Sequence, residues 1–504
     1  MNRVLPSLLL ALILLVPHIL PAQQITYTEP EKEDSRRTNF EIIGKINDNF
    51  LVFKNNSSNS AISVYGNDMK LQQRVPLSFL PDHYTNVDFI SYPDYFYMIY
   101  EYQKKSIVHC MAVKIDGQGQ KMGEPLELDT TMISSSSSNK IYTIIVSENK
   151  EKILIFKINS KNPRNFAFTT LLFDAQLNPL DRHRLLLPME ERNELFTDFY
   201  VDNEGQLVFG KYLKSGNNDY ISRVILVAKA PQADSFQVRD LGTQDRVLDE
   251  IKMKVDNNNR RYIITGFYYK QKRGNIEGLY TIIWDKGSDV RIRETVTIFN
   301  DELRTAAKSS DANLKMAFND YFIKHIITKR DGGYLMVSES QYTTSRGNMF
   351  NRWDYMYPMY SPGFYSPYYN NPYYNPWNRN YGNYATRFHA ENIMVLSFDH
   401  DGNLLWSNVI NKSQFDDESD NLISYELVNT GGELHFLFNQ YERRNNLLNH
   451  AGVAPDGKQT RYPTLHNLDK GYDFMPRYGK QVSGFESIIP CLYRNYLCLA
   501  KVEF

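Results

Sequence analysis

Four carboxylates near the predicted starts of repeated units are the residues best suited to acid/base chemistry. They are Asp88, Asp198, Glu250 and Glu426. Paired carboxyl groups can donate and accept protons across a glycosidic bond, so their convergence in one cavity would indicate acid/base work on a glycan. Each of the four also has a simple structural role as a turn or rim residue, and we favour that role. No catalytic residue is therefore predicted.

Oxygen-bearing side chains alternate at Asp399, Asp401 and Asn403, beside Gly402. This spacing is similar to that of calcium loops, but an EF-hand requires another Asp or Asn before its glycine and a Glu six residues beyond it. Here Gly402 directly follows Asp401, and Asn408 stands where the Glu is required. Turn chemistry explains these residues better, so we predict neither a metal site nor a cofactor.

Several classes of function lack support in the sequence. The local motifs of metalloproteases, serine hydrolases, nucleotide-binding proteins and thiol oxidoreductases do not occur. The net charge of −1 gives no basic excess, so nucleic acid is not an expected partner.

The most unusual segment is an insertion at 345–387 that is rich in Tyr, Pro and Asn. Hairpin loops usually contain about 2–5 residues, so this length departs from the rest of the chain. Its aromatic rings suit a protein interface or stacking on sugars, and its Pro and Asn content also suits a mobile spacer. The candidate binding residues are Trp353, Tyr357, Tyr360, Tyr365, Tyr369, Tyr374, Trp377 and Arg379.

The elements that must position these groups are repeated strands. Units of four short strands recur seven times, the first being FEIIGKIND, NFLVFKN, AISVYGND and MKLQQRVPL. The insertion lies in the sixth unit. The C-terminal strands and ITYTEP near Ile25 complete an eighth unit, which would close a ring and remove exposed sheet edges. We predict an all-β fold, a β-propeller of four-stranded blades, with eight blades favoured and seven as the alternative. A transmembrane β-barrel is disfavoured because many strands are short and apolar on both faces.

Two smaller predictions concern a helix and the cysteines. Asp301 to Met316 predicts a helix capped by Asn300. A turn at Arg494-Asn495 would place Cys491 opposite Cys498; a disulfide is left open, and free thiols are favoured.

The N-terminus predicts export. A short positive head precedes an apolar run of signal-peptide length, so residues 1–22 are predicted as a signal peptide and 23–504 as the propeller. No later segment is apolar enough for a membrane helix. We expect a periplasmic or extracellular protein, with outer-membrane association left open.

The hairpin pattern FDHDGNLLW has looser relatives in VKIDGQGQKM and VAPDGKQT. These repeats resemble those of exported, uncharacterised β-propeller proteins of Gram-negative Bacteroidota, and they lack the signatures of WD40 and kelch repeats. The resemblance implies a fold and no activity. We therefore predict a non-catalytic binding or scaffolding module of the cell envelope that contacts an envelope protein through the aromatic loop. The alternative is a glycan-binding or glycan-active propeller, a hydrolase or lyase, with its site at the central channel.

Overall fold

The computed structural model describes residues 24–31, 38–56, 59–133, 140–159, 164–189, 194–214, 220–243, 246–271, 274–308, 313–345, 386–417, 419–442, 445–465 and 471–504. These residues form an all-β structure of antiparallel sheets, most of which contain four strands. This topology confirms the predicted fold class and is consistent with a β-propeller.

Strand β1 (Gln24–Tyr27) belongs to the last sheet, and the sheets that follow are built in chain order. Sheet I contains β2 (Thr38–Ile46), β3 (Asn49–Asn56), β4 (Asn59–Tyr65) and β5 (Leu71–Pro76). Sheet II contains β6 (Asn86–Ser91), β7 (Tyr95–Lys104), β8 (Ile107–Asp116) and β9 (Leu126–Met132). Sheet III contains β10 (Thr143–Val146), β11 (Lys152–Asn159), β12 (Asn165–Asp174) and β13 (Pro179–Pro188).

Sheets IV and V are joined into one ten-stranded sheet by the two-residue strand β19 (Val247–Leu248). Sheet IV contains β14 (Glu194–Phe196), β15 (Tyr200–Val201), β16 (Leu207–Lys214), β17 (Ile221–Lys229) and β18 (Gln237–Asp240). Sheet V contains β20 (Lys252–Asp256), β21 (Arg261–Tyr269), β22 (Ile276–Asp285) and β23 (Val290–Ile298).

The last three sheets include the largest hairpin and both ends of the described chain. Sheet VI contains β24 (Tyr321–Thr328), β25 (Tyr334–Ser345), β26 (Thr386–Phe398), β27 (Leu404–Ile410) and β28 (Gln414–Asp416). Sheet VII contains β29 (Tyr425–Asn429), β30 (Leu434–Glu442), β31 (Asn445–Val453) and β32 (Gln459–Arg461). Sheet VIII contains β33 (Tyr472–Phe474), β34 (Lys480–Gln481), β35 (Glu486–Tyr493) and β36 (Tyr496–Glu503), and β1 pairs antiparallel with β36.

The core lies between the sheets. Each of eight large apolar clusters contains residues from two consecutive sheets, and the cluster around Phe50, Ile488 and Leu499 joins sheet VIII to sheet I. Middle strands such as β17 are apolar on both faces because each sheet packs against a neighbour on either side.

Hairpin turns have the chemistry that the sequence indicates. At the β26–β27 turn, the Asp399 carboxylate accepts hydrogen bonds from the backbone N–H groups of Asp401 (2.9 Å) and Asn403 (2.8 Å). Gly402 has a φ of +83°, which glycine adopts at little cost. The predicted turn role of these residues is confirmed.

Helix α1 (Asp301–Ala307) connects sheets V and VI. The Asn300 side chain caps it by accepting a hydrogen bond from the Leu303 N–H, as predicted. The helix ends at Ala307 because Lys308 is extended, so the expected length to Met316 was wrong; Leu314–Met316 is a separate 3-10 turn. Within the described part of the chain, no helix has the length and apolar character needed to cross a membrane.

The first strands of consecutive sheets lie side by side. Between β2 and β6, the Ser91 hydroxyl donates to the Ile43 carbonyl at 2.7 Å. Between sheets V and VI, the Glu250 carboxylate, just before β20, accepts from the Ile323 N–H of β24 at 2.9 Å. We call the line of first strands the first-strand edge, and it positions the site described below.

Candidate functional site along the first strands

Charged side chains interrupt otherwise apolar first strands. Glu41 lies within FEIIGKI of β2, Lys252 and Lys254 within KMKVD of β20, and Lys324 and His325 within FIKHII of β24. All five are at least partly exposed. Since charged residues in apolar strands are costly unless they face water or a partner, their concentration along one edge indicates a polar surface there.

One group, the Glu41 wall, consists of Glu41, Asp88, Lys140 and Lys480 from sheets VIII, I and II and the segment before sheet III. The Lys140 ammonium donates to both carboxylate oxygens of Asp88, at 2.8 and 2.9 Å. The Lys480 ammonium reaches β2 and donates to the carbonyls of Ile42 (2.9 Å) and Ile43 (3.0 Å). Lysines from two neighbouring elements thus surround the Glu41 and Asp88 carboxyls.

The Glu41 carboxyl has an unusual protonation equilibrium. Desolvation raises its pKa to about 8, Lys480 and Lys140 oppose that rise, and Asp88 adds to it. This pKa favours the protonated form at neutral pH. The residue is partly exposed, but its Oε2 is buried and has no hydrogen-bond partner in the described structure. A neutral carboxyl beside an ion-paired carboxylate is an arrangement that can donate and accept protons.

A second group, the Lys324 wall, consists of Lys252, Lys254, Lys324 and His325 from β20 and β24. The Lys252 ammonium lies 3.6 Å from the Asp198 carboxylate, and both side chains are partly exposed, at 33% and 40%. The Lys254 ammonium lies 5.9 Å from the centre of the Tyr200 ring.

Lys324 is held by a buried polar network. Its ammonium donates to the Gln341 side-chain oxygen at 2.7 Å, and the Gln341 amide donates to Glu339 at 2.6 Å. The Glu339 carboxylate also forms an ion pair with Lys412 at 2.7 Å and accepts from the Ser424 hydroxyl at 2.7 Å. Glu339, which holds Lys324 through Gln341, is thus already bound by Lys412 and Ser424. The direct polar contact of Lys324 is with the neutral amide of Gln341.

Desolvation also governs the Lys324 wall. It lowers the pKa of His325 to about 4, with Lys324 adding to the effect, although the imidazole is exposed. It lowers the pKa of Lys324 to about 8. Both shifts favour the neutral form of the group.

The four sequence-predicted carboxylates do not meet at one point. Asp88 lies in the Glu41 wall and Asp198 beside the Lys324 wall, whereas Glu250 and Glu426 are buried, at 3% and 5% exposure. Glu250 binds the Ile323 N–H, and Glu426 accepts from the Ser487 hydroxyl. Both are buried, and Glu426 lies within β29, so the prediction that they are turn or rim residues was wrong.

Sequence reasoning missed Glu41, Lys324 and His325. The signal was present, because each is an ionisable residue inside a largely apolar first strand.

The eight candidate binding residues of the insertion lie outside the described residues. The described bases of the insertion, Ser345 and Thr386, pair across the β25–β26 hairpin, and Arg387 binds both oxygens of Asp417 at 2.5 and 2.9 Å. The assignment of Trp353, Tyr357 and their neighbours to an interface stays a prediction.

The cysteines of sheet VIII lie opposite each other. Cys491 pairs with Cys498 across the β35–β36 hairpin, whose turn residues Arg494 and Asn495 have positive φ, as expected. The sulfur atoms are 3.0 Å apart, and both are buried free thiols.

Across the described residues, no group of three or more His, Cys, Asp or Glu side chains is placed to hold a metal ion.

No protein-family model and no curated protein sequence matches this chain. Solved structures of similar fold include ulvan lyase, a polysaccharide lyase (11% identity, TM-score 0.37, covering 82% of this chain and 90% of that one). Prolyl oligopeptidase B from Galerina marginata is 8% identical with a TM-score of 0.40, covering 91% of this chain and 55% of that one. Tricorn protease is 11% identical with a TM-score of 0.38, covering 87% and 35%.

These similar proteins are enzymes by name, a polysaccharide lyase and peptidases. This finding overturns the prediction of a non-catalytic scaffold that contacts a partner through the aromatic loop. At such low identities and TM-scores, the likeness assigns this chain no activity, so its function has to be argued from its own residues.

Proposed function

We propose that this protein is an exported, glycan-cleaving β-propeller of eight blades, with its acid/base groups at the Glu41 wall of a central channel. The observation that carries the proposal is Glu41, a partly exposed residue with a buried Oε2 that has no hydrogen-bond partner in the described structure. Desolvation raises the pKa of its carboxyl to about 8, and the ion-paired carboxylate of Asp88 acts on it electrostatically.

The packing supports a closed ring. The units I to VIII, each of four or five strands, follow one another, and an apolar cluster fills the space between each consecutive pair. Sheet VIII packs against sheet VII on one side and sheet I on the other. In such a ring the first strands are innermost, so the first-strand edge lines the channel and the two walls face it.

The chemistry follows from the two carboxyls. Protonated Glu41 would donate its proton to the glycosidic oxygen as the bond to the leaving sugar breaks. Asp88 would supply the carboxylate that either activates water or attacks the anomeric carbon. Lys140 and Lys480 position these groups: Lys140 binds both oxygens of Asp88, and Lys480 binds the β2 backbone next to Glu41.

Ser91 aligns β6 with β2, and this alignment determines where Glu41 and Asp88 lie relative to each other along the strands. Its hydroxyl joins β6 to β2 at Ile43. Glu41 is two residues before Ile43 and Asp88 three before Ser91, and the two strands run side by side. Their carboxyls therefore lie at similar levels along the first-strand edge.

The test is a cleavage assay on neutral, uronate-containing and sulfated polysaccharides, with new reducing ends and product masses as readouts. We expect the wild-type protein to cleave at least one of them. Glu41→Gln should lower kcat about 100-fold or more, the usual contribution of a general acid.

The matched control is Glu124→Gln, which removes a carboxyl that is 86% exposed and pairs only with Lys121 among the contacts described. It should cleave like the wild type. The proposal is wrong if no panel glycan is cleaved, or if folded Glu41→Gln protein cleaves as fast as the control.

A further inference from the structure

We infer that the Lys324 wall is a binding subsite for the anionic groups of a glycan, its carboxylates or sulfates. The identity of the ligand as a glycan rests on the proposed function above, whereas the preference for anions rests on the wall itself.

The lysines of the wall are brought to one level by the backbone. Glu250 binds the Ile323 N–H and so fixes the register of the segment leading into β20 against β24. Lys252 lies two residues after Glu250, and Lys324 and His325 lie one and two residues after Ile323. Since the strands lie side by side, the two lysines and the neutral imidazole of His325 form a row on the first-strand edge.

The irregular backbone of β24 contributes to this row. The register of β24 against β25 shifts between Ile323 and His325, so Lys324 is the extra residue of a β-bulge. A bulge re-aims a side chain, and here it presents Lys324 and His325 together at the exposed edge.

Positive charge exceeds accessible negative charge at the wall. Lys252, Lys254 and Lys324 are all partly exposed, and Asp198 is the partly exposed acid that contacts them. The other nearby acids are engaged: Glu250 by a backbone N–H and Glu339 by Lys412. Arg477, which acts electrostatically on Lys324, is paired with Asp420. The wall therefore has cationic groups available to an incoming anion.

Lys324 is the lysine of the wall whose charged form an anionic ligand would stabilise most. Its described polar contact is a neutral amide, and desolvation lowers its pKa to about 8. An anion placed beside it would favour the charged form and stabilise the complex. Because an ammonium is a point charge without the fork geometry of Arg, the wall would accept carboxylate and sulfate alike.

The test measures binding by calorimetry with the full chain carrying Glu41→Gln, so that cleavage does not consume the ligand. The probes are oligogalacturonate and its methyl ester, which share a backbone and differ in charge, together with a sulfated oligosaccharide and its desulfated form. Sodium phosphate and sulfate serve as competitors. We expect the charged member of at least one pair to bind about tenfold more tightly, with an advantage that shrinks as salt rises.

The variants identify the wall. Adding Lys324→Met or Lys252→Met should each reduce the preference for the charged member severalfold, whereas Lys121→Met, on the surface of sheet II, should not. Equal affinity for charged and neutral members, no binding of either, or unchanged preference in both wall variants would overturn the inference. Tight binding of phosphate without binding of charged oligosaccharides would overturn it as well.

The two proposals fail separately. Charge-selective binding in a protein that cleaves nothing would leave this inference standing while the proposed function falls. Cleavage of neutral glycans that is abolished by Glu41→Gln, without charge-selective binding, would support the proposed function and overturn this inference.

Discussion

Desolvation acts on both walls of the proposed channel, but it has opposite consequences for the groups on which it acts. It raises the pKa of Glu41 to about 8 and lowers that of His325 to about 4, because in each case the neutral form is favoured. At neutral pH the acid keeps its proton and the imidazole lacks one. In the proposed mechanism, proton donation therefore belongs to the Glu41 wall, and the charge of the Lys324 wall resides in its lysines.

The supports of the two walls also differ. Lys140 and Asp88 form a pair that is 13% and 22% exposed. Behind Lys324, the pair formed by Lys412 and Glu339 is almost fully buried, at 1% and 0% exposure. Water can replace a lost partner at the Lys140–Asp88 pair, but it cannot do so at the buried Lys412–Glu339 pair. This difference makes the walls separable by mutation.

The largest effect is expected at the buried pair. Lys412→Met leaves Glu339 as an uncompensated buried charge, which typically costs about 3–5 kcal/mol of unfolding free energy. Denaturant unfolding should show this loss, with a much smaller one for Lys140→Met at the other wall. Replacing both partners, as Lys412→Met with Glu339→Met, should recover much of the stability; similar losses in the two single variants would remove the distinction between the walls.

A pH series of unfolding free energies tests the opposite pKa shifts. The folded protein holds the Glu41 proton more tightly than the unfolded chain, so this group's contribution falls as pH rises from about 4.5 through about 8. The folded protein resists protonation of His325, so its contribution falls as pH drops from about 6.5 through about 4.

Each of two variants should flatten one side of the curve of unfolding free energy against pH. Glu41→Gln is expected to reduce the loss of stability on the alkaline side and His325→Gln the loss on the acid side, relative to Glu124→Gln. If both variants altered the same side of this pH curve, the opposite pKa shifts that we assign to the two walls would be wrong.

The smallest effect is expected at the exposed pair of the Lys324 wall. Lys252 and Asp198 lie 3.6 Å apart and are partly exposed, so Lys252→Met should change the unfolding free energy by less than about 1 kcal/mol. Such a result would show that Lys252 is not needed for folding. A loss comparable to that of Lys412→Met would instead make it a structural residue.

The sequence predicted the sheets better than the site. Alternating apolar runs and Asp-Gly turns depend on neighbouring residues, which is why the repeated antiparallel sheets and the Asn300 cap were found. Glu41 and Asp88 come together through packing between sheets, which no local pattern reports. The prediction for α1 was too long because Lys308 turns away from the helix, and the outcome for the aromatic insertion lies outside the described residues.

The pairing of β1 with β36 has a consequence for biosynthesis. Residues Gln24 to Tyr27 meet partners at Ala500 to Glu503, so an early-made segment waits for almost the whole chain before it can pair. Contacts so distant in sequence slow the final step of folding, while sheets I to VII can assemble in order as they are made. Until that step, the edge of β36 that pairs with β1 is open to other strands, and a chaperone that shields it would raise the yield of folded protein.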